Sequence, residues 1–196
     1  MNAIRYPITS ALLSEARLYA QESYGHTFDY QGWEKPDQKQ KMARLTYGKF
    51  GQLWVAEFCR ANGLPCEKDT SSPYVADDRD LTIYGHSIDV KTTVNRNFLG
   101  QVSPGVINKP CDYFCFLVTD LKCSFVEPIG FMDCDTYRCV AIEVKEGETI
   151  PGTTMQQRFG TSFFLPRPAP VVPFVQFLKH LRAANHASSN VLGAKA

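Results

Sequence analysis

Apolar residues recur at helical spacing in three parts of the chain. The first part is 9–24, where Thr9 or Ser10 is a suitable N-cap. The second begins at Asp37 and ends at the pair Asn62-Gly63, and the third covers 172–184. The pattern therefore predicts two helices near the N-terminus and an amphipathic helix that closes the fold.

Between the second and third helices, β-branched and aromatic residues cluster in short runs. These runs predict strands over 80–84, 87–92, 113–118, 124–132 and 137–144. Nearly every residue of 113–118 is apolar, which is typical of a strand covered on both faces, so this strand is expected at the centre of the sheet. The stretches 93–110 and 145–168 are rich in polar and turn-forming residues and are expected to be irregular. The helices and strands together predict an α/β protein.

The first two strands are close enough in sequence to form a hairpin. Gly85 and His86 between them fit a two-residue type II′ loop with glycine at its first central position. In that register Asp80 faces Lys91, and Asp89 lies diagonally from Asp80 on the same surface, with Cβ atoms roughly 7 Å apart. The two carboxylates would then reach a single cation between them.

The second helix contains an acid in an unexpected place. At 3.6 residues per turn its C-terminal half has an apolar stripe, made by Phe50, Leu53, Trp54, Phe58 and Ala61. Glu57 falls at the centre of that stripe. An unpaired carboxylate in apolar surroundings costs roughly several kcal/mol, so we expect a partner opposite Glu57. The hairpin surface with Asp80, Asp89 and Lys91 would supply it.

These groups suit the hydrolysis of a phosphodiester bond. Carboxylate oxygens of Glu57, Asp80 and Asp89, with the Val90 carbonyl as a further ligand, match the preferences of Mg²⁺ or Mn²⁺. Such an ion acidifies a bound water and neutralises charge in the transition state. The Lys91 ammonium would orient the water or stabilise the developing charge.

A glutamate on a helix, then an aspartate, then Asp-x-Lys on a hairpin resembles the PD-(D/E)XK nuclease superfamily. The resemblance covers roughly residues 45–120 and implies a restriction-endonuclease-like core, a mixed central β-sheet flanked by helices in αβββαβ order. It implies Glu57, Asp80 and Asp89 as metal ligands and Lys91 as the catalytic lysine. The proline that names the motif is absent, since Arg79 precedes Asp80. The expected function is a Mg²⁺- or Mn²⁺-dependent nuclease that acts on DNA.

Three other interpretations stay open. The hairpin could be exposed, with Asp80 and Lys91 in a cross-strand ion pair worth under about 1 kcal/mol. The fold could also serve as a non-catalytic nucleic-acid-binding or assembly module. Finally, a nuclease of this fold could act on RNA, because no residue distinguishes the two sugars.

The net charge of +1 provides no general attraction for nucleic acid, so contacts must come from a local cluster. Lys41, Arg44 and Lys49 of the second helix and Arg96 after the hairpin are the candidates. A solvated basic face is the ordinary alternative. One site cuts one strand, so cleavage of both strands would need a homodimer or two successive nicks.

The sequence predicts a cytoplasmic protein that does not enter a membrane. It has no apolar run of the roughly 18 residues that a spanning helix needs, and its first residues lack a signal-peptide profile. The seven cysteines are therefore expected to be reduced thiols. A zinc site is the alternative, but the relevant cysteines lack CxxC spacing; they are Cys111, Cys115, Cys123, Cys134 and Cys139.

Length and composition favour one domain. The 196 residues are 44% hydrophobic and 21% charged, which is ordinary for a globular protein. The nuclease domain is expected to span 1–184, with a helical part at 1–63. The small, polar residues 185–196 are expected to form a disordered tail.

Overall fold

The computed structural model describes most of the chain. The described residues are 5–25, 38–68, 80–94, 97–108, 110–157 and 160–193. The helices are α1 (Ser10–Ser23), α2 (Gln38–Ala61), α3 (Pro104–Ile107), α4 (Cys134–Val140) and α5 (Phe174–Gly193). The strands are β1 (Cys66–Lys68), β2 (Leu81–Ile83), β3 (His86–Thr93), β4 (Phe98–Val102), β5 (Tyr113–Val118), β6 (Glu127–Asp133), β7 (Ile142–Val144), β8 (Ser162–Pro166) and β9 (Val172–Pro173).

The strands form two sheets. The larger sheet has the order β1-β2-β3-β5-β6-β9, and the smaller has the order β4-β8-β7. Strands β3 and β5 run parallel, whereas the other paired strands are antiparallel. The central position predicted for 113–118 is confirmed, since β5 lies between β3 and β6 and five of its six residues are buried. The fold is a mixed α/β fold with a mixed sheet and flanking helices.

Each face of the larger sheet has its own apolar core. On one face, Ile88 and Val90 of β3 belong to a cluster with Phe50, Trp54 and other residues of α2 and α5. On the other face, Phe114 and Phe116 of β5 pack with residues of β4, β8 and α4. Because side chains alternate along a strand, Asp89 and Lys91 point to the face covered by the smaller sheet.

The two N-terminal helices are confirmed. Thr9 is the N-cap of α1 and its hydroxyl accepts a hydrogen bond from the Leu12 N–H at 3.4 Å. The described part of the second helix begins at Gln38, and the helix ends at Ala61. The Leu64 N–H then donates to the Cys59 carbonyl at 2.9 Å, while Gly63 adopts a φ of 65°. This C-terminal geometry is the one glycine favours.

The strand predicted over 137–144 is wrong in its first half. Asp133 accepts a hydrogen bond from the Thr136 N–H at 2.8 Å and so caps α4. The helix turns Tyr137 into the core, where its ring lies 4.7 Å from that of Phe114. Only β7 at the end of the predicted run is a strand. Local β-propensity is overridden here by a cap and by a packing partner.

The two stretches expected to be irregular also contain regular structure. Strand β4 lies in the first and β8 in the second, and the two pair with each other across about 60 residues of chain. The closing helix is longer than predicted, because α5 continues from Phe174 to Gly193. The expected tail is therefore helical up to residue 193, and 194–196 lie outside the described residues.

The expectation of reduced thiols is corrected at one pair. Cys111 and Cys134 form a disulfide, with Cα atoms 6.4 Å apart, whereas Cys115, Cys123 and Cys139 of the alternative zinc set are free. Within the described ranges, no three His, Cys, Asp or Glu side chains are arranged to hold a metal ion. In the same ranges, no helix is both long and apolar enough to cross a membrane.

Candidate active site

The β2–β3 hairpin has a different loop from the one predicted. Leu81 pairs with Ile88 and Ile83 pairs with His86, so the loop is Tyr84-Gly85. Both loop residues have positive φ, 51° and 82°, as a type I′ turn requires. Tyr84 is held in this conformation because its ring packs on the helix-side core and its N–H donates to a backbone carbonyl at 3.3 Å. The predicted Gly85-His86 loop is wrong.

The corrected register still leaves the two aspartates on one surface. The pairing has moved by two residues, and an even shift preserves the face on which each side chain lies. Asp80 therefore lies directly opposite Asp89 instead of diagonally, and the Asp80 N–H donates to the Ile88 carbonyl at 3.1 Å. Lys91 follows two residues after Asp89 in β3 and shares its face.

The Asp80 carboxylate is partly buried and accepts two hydrogen bonds from the protein. One oxygen, Oδ2, accepts the Val90 N–H at 2.6 Å, and Oδ1 accepts the Gln52 side-chain amide at 2.6 Å. Burial and the neighbouring Asp89 carboxylate raise the pKa of Asp80 well above its usual value, against the opposing effects of Lys91 and the Val90 N–H. Asp89 lies opposite Asp80 in the hairpin, so the two carboxyl groups are close neighbours. Two carboxylates this close must hold a proton or a cation between them.

Asp89 and Lys91 form a nearly buried ion pair. The Lys91 Nζ lies 2.7 Å from Asp89 Oδ1, and the side chains are 18% and 12% exposed. Strand β4 passes directly over the lysine stem: a Cβ on Gly100 would lie 3.1 Å from the Lys91 Cβ, and Gly100 has a φ of 51°. The backbone of β4 thus lies close against the base of the Lys91 side chain.

The electrostatic influence of the cluster reaches both faces of the sheet. Burial raises the pKa of Tyr137, and the charge of Asp89 raises it further. On the helix side, burial raises the pKa of the Cys115 thiol and Asp80 adds to the effect. Among the described residues, the cluster has two carboxyl groups and one ammonium, so it is neutral when Asp80 holds a proton and carries one negative charge when both acids are ionised.

Glu57 does not join this cluster. Its carboxylate accepts hydrogen bonds from Arg60 at 2.5 and 3.0 Å, and its side chain is 43% exposed. The hydrogen bond from Arg60 lowers the pKa of Glu57. The prediction that Glu57 is a core-facing acid in need of the hairpin is therefore wrong. An arginine one turn later on the same helix satisfies it at the surface.

Gln52 takes the position in which Glu57 was expected. A Cβ on Gly51 would collide with the Thr92 hydroxyl, so glycine lets the α2 backbone lie against β3. The next residue, Gln52, then reaches Asp80. The sequence feature that could have indicated Gln52 is a polar residue beside a glycine in a largely apolar helix. The helix has several polar residues, however, and its packing against β3 decides which of them faces that strand.

Val90 takes part in the cluster through its N–H, which Asp80 accepts. Its side chain is buried in the helix-side core. Val90 thus contributes a hydrogen-bond donor to the Asp80 carboxylate. The sequence analysis predicted instead that the Val90 carbonyl would be a metal ligand.

The predicted nucleic-acid-binding residues lie mainly along α2. The Lys49 ammonium lies 4.2 Å from the ring centre of Tyr19 in α1, and the Lys41 ammonium lies 4.8 Å from that of Tyr24, the C-cap of α1. Lys49 is also one turn before Gln52, so it is close to the cluster along the helix. Arg44 is exposed, and Arg96 lies outside the described residues.

No family model, no curated protein and no solved structure matches this chain.

Proposed function

We propose that this protein is a metal-dependent nuclease that hydrolyses phosphodiester bonds in DNA. The observation that supports the proposal best is the convergence of Asp80, Asp89 and Lys91. The two aspartates lie opposite each other on one face of the hairpin, and the Lys91 ammonium lies 2.7 Å from the Asp89 carboxylate. These are three of the four residues that the resemblance to PD-(D/E)XK nucleases implies for a catalytic centre, and Glu57, the fourth, pairs with Arg60 instead.

The donor atoms of the cluster fit Mg²⁺ or Mn²⁺. Both carboxylates supply hard oxygen ligands, and the Gln52 amide, which contacts Asp80, has a carbonyl oxygen that can turn toward a cation. Mg²⁺ needs few protein ligands because it retains several waters. When bound, such an ion supplies a water of lowered pKa and neutralises charge on the phosphate. The two carboxylates found in the described part of the cluster are thus compatible with this ion.

Each residue of the cluster then has a distinct task. Asp80 and Asp89 bind the cation, and the Val90 N–H and Gln52 amide fix the orientation of the Asp80 carboxylate. The Lys91 ammonium neutralises Asp89 and is available to stabilise the charge that develops on the phosphate. The ion pair with Asp89 keeps the ammonium at this point of the cluster.

The test is a cleavage assay with plasmid, linear double-stranded and single-stranded DNA and with RNA, each in Mg²⁺, Mn²⁺ or EDTA. We expect cleavage of DNA that EDTA abolishes and that Lys91→Ala reduces by about 100-fold or more. Lys145→Ala, which removes an exposed lysine, is the matched control and should retain activity. Equal residual cleavage by the wild type and by folded Lys91→Ala would exclude the proposal.

A non-catalytic nucleic-acid-binding module is the second candidate. It is favoured by one observation, the pairing of Glu57 with Arg60 away from the aspartates. Such a module would bind DNA equally well in EDTA and would bind unchanged with Asp89→Ala. The RNA arm of the cleavage assay decides between a deoxyribonuclease and a ribonuclease, and the ratio of nicked to linear plasmid decides whether two sites act together as in a dimer.

A further inference from the structure

A cleft lies at a distance from the aspartate–lysine cluster, between α1, α2 and the turn that follows β5. Its volume is about 460 Å³, which is within the range of sites that bind small molecules. Thr46, the lining residue of α2 nearest to Gln52 in sequence, precedes it by six residues, or about 9 Å along the helix. The cleft is thus a separate feature from the cluster.

Three different elements contribute a basic residue to this cleft. They are Arg17 of α1, Lys39 of α2 and Lys122 of the turn. None of the described residues that line the cleft is acidic. Asp120 is close to it, but its carboxylate accepts the N–H groups of Lys122 and Ser124 and is committed to its own turn. The cleft therefore favours an anion.

The position of the Arg17 charge supports this view. Burial raises the pKa of the Cys123 thiol, in the cleft wall, to about 11, and Asp120 raises it too, whereas Arg17 lowers it. The positive charge of Arg17, which is an exposed lining residue, thus favours an anion in the cleft. An Arg fork is well suited to a phosphate group, to which it donates two parallel hydrogen bonds.

The rest of the lining suits a planar, hydrogen-bonding group. Leu13 and Met42 provide apolar surface, and Met adapts its shape readily to a ring. Gln21 and Gln38 provide side-chain amides, each of which both donates and accepts hydrogen bonds. A nucleobase has an apolar face and an edge of donors and acceptors, so it matches this surface.

We propose that the cleft binds a nucleotide, with the phosphate at Arg17, Lys39 and Lys122 and the base between the apolar and amide side chains. The nucleotide is either free or one unit of a strand. This site goes beyond the proposed nuclease function and does not depend on it, because none of its residues belongs to the aspartate–lysine cluster.

Calorimetric titration of the full chain in EDTA tests this inference, with thymidine 5′-monophosphate, a ten-residue oligothymidylate and inorganic phosphate as probes. We expect saturable binding of the mononucleotide or the oligonucleotide, tighter than that of phosphate. Arg17→Ala and Lys122→Ala, which remove exposed side chains, should each weaken it about tenfold. Lys179→Ala, on exposed α5 surface, is the matched control and should bind as the wild type does.

The mononucleotide and the oligonucleotide distinguish a free nucleotide from one unit of a strand. Binding of the mononucleotide indicates a free ligand, and binding of the oligonucleotide alone indicates a strand. The inference is overturned when neither binds, when phosphate alone binds as tightly, or when neither variant weakens binding. Lys91→Ala separates this result from the nuclease proposal, since it should lose cleavage and keep full affinity for the probe.

Discussion

Two acid–base pairs of this protein have nearly the same contact distance and very different surroundings. In the aspartate–lysine cluster, Lys91 lies 2.7 Å from Asp89, and the side chains are 18% and 12% exposed. On α2, Arg60 lies 2.5 Å from Glu57, and the side chains are 75% and 43% exposed. Water screens the second pair, whereas the first is desolvated and has a second carboxylate, Asp80, beside it.

This difference shows why contact distance alone does not identify a functional charge. An exposed pair gains little from its contact, because each group is already well hydrated. A nearly buried cluster with excess negative charge remains electrostatically incomplete until a proton or cation joins it. The comparison therefore favours the hairpin over Glu57 as the site of the proposed activity, and it can be tested one pair at a time.

The largest difference is expected in activity. Asp89→Asn retains the shape of the side chain but removes a carboxylate from the proposed metal site, so DNA cleavage in Mg²⁺ should fall by about 100-fold or more. Glu57→Gln is the matched change in the exposed pair and should leave the rate within about twofold. Initial rates on the same DNA substrate measure both. A similar loss in the two variants would contradict the assignment of the site.

The second difference is expected in stability. Lys91→Met removes the cation from the cluster and leaves two adjacent carboxylates, so the free energy of unfolding in EDTA should fall by about 2 kcal/mol. Arg60→Met should produce no resolvable change. Urea unfolding followed by circular dichroism measures both. If Mg²⁺ binds the cluster, adding it should restore part of the stability of Lys91→Met, and an equal loss in both variants would refute the comparison.

Gln52→Leu should have a smaller effect on catalysis. Without the amide, the Asp80 carboxylate keeps the Val90 N–H but loses its second donor. We expect a fall of about tenfold in kcat, since positioning a ligand matters less than supplying it. Gln40→Leu changes an exposed glutamine on the same helix and serves as the control. Unchanged kcat in Gln52→Leu would show that the amide is dispensable.

The smallest expected effect is a gain in stability with Asp80→Asn. The pKa of Asp80 is raised in the folded protein, so its ionisation is more costly there than in the unfolded chain. Protonated Asp80 contributes to the stability of the folded protein at low pH, and this contribution is lost as the pH rises through the raised pKa. In EDTA, Asp80→Asn should match the wild type in acid and exceed it by about 1 kcal/mol at higher pH. Unfolding curves across pH test the sign, and a variant less stable at every pH would contradict it.

Features set by neighbouring residues were predictable. The Thr9 cap, the span of α1 and the limits of β5 each depend on a local pattern, and all are confirmed. The shared face of Asp80 and Asp89 was also predictable although the hairpin loop was not, because an error of two residues leaves side-chain alternation intact. The face on which a strand residue lies is thus easier to predict than the residue with which it pairs.

Features that depend on distant partners were not predictable. Strands β4 and β8 support each other only once the chain between them has folded, and neither has a strong pattern by itself. On α2 the helical period placed Glu57 in the apolar stripe, but this helix is covered from several sides, so the period did not identify the face toward β3. Contact of Gly51 with Thr92 decides that face.

The sequence by itself determined which chemical groups this protein has available and that two acids and a lysine share one surface of a hairpin, because strand periodicity is a property of the local chain. Only the tertiary structure decided which helical side chain completes the group. In the folded protein Glu57 pairs with Arg60 at the surface, and Gln52 reaches Asp80. The contact of Gln52 with Asp80 forms only where separate elements meet, because desolvation and close packing arise there.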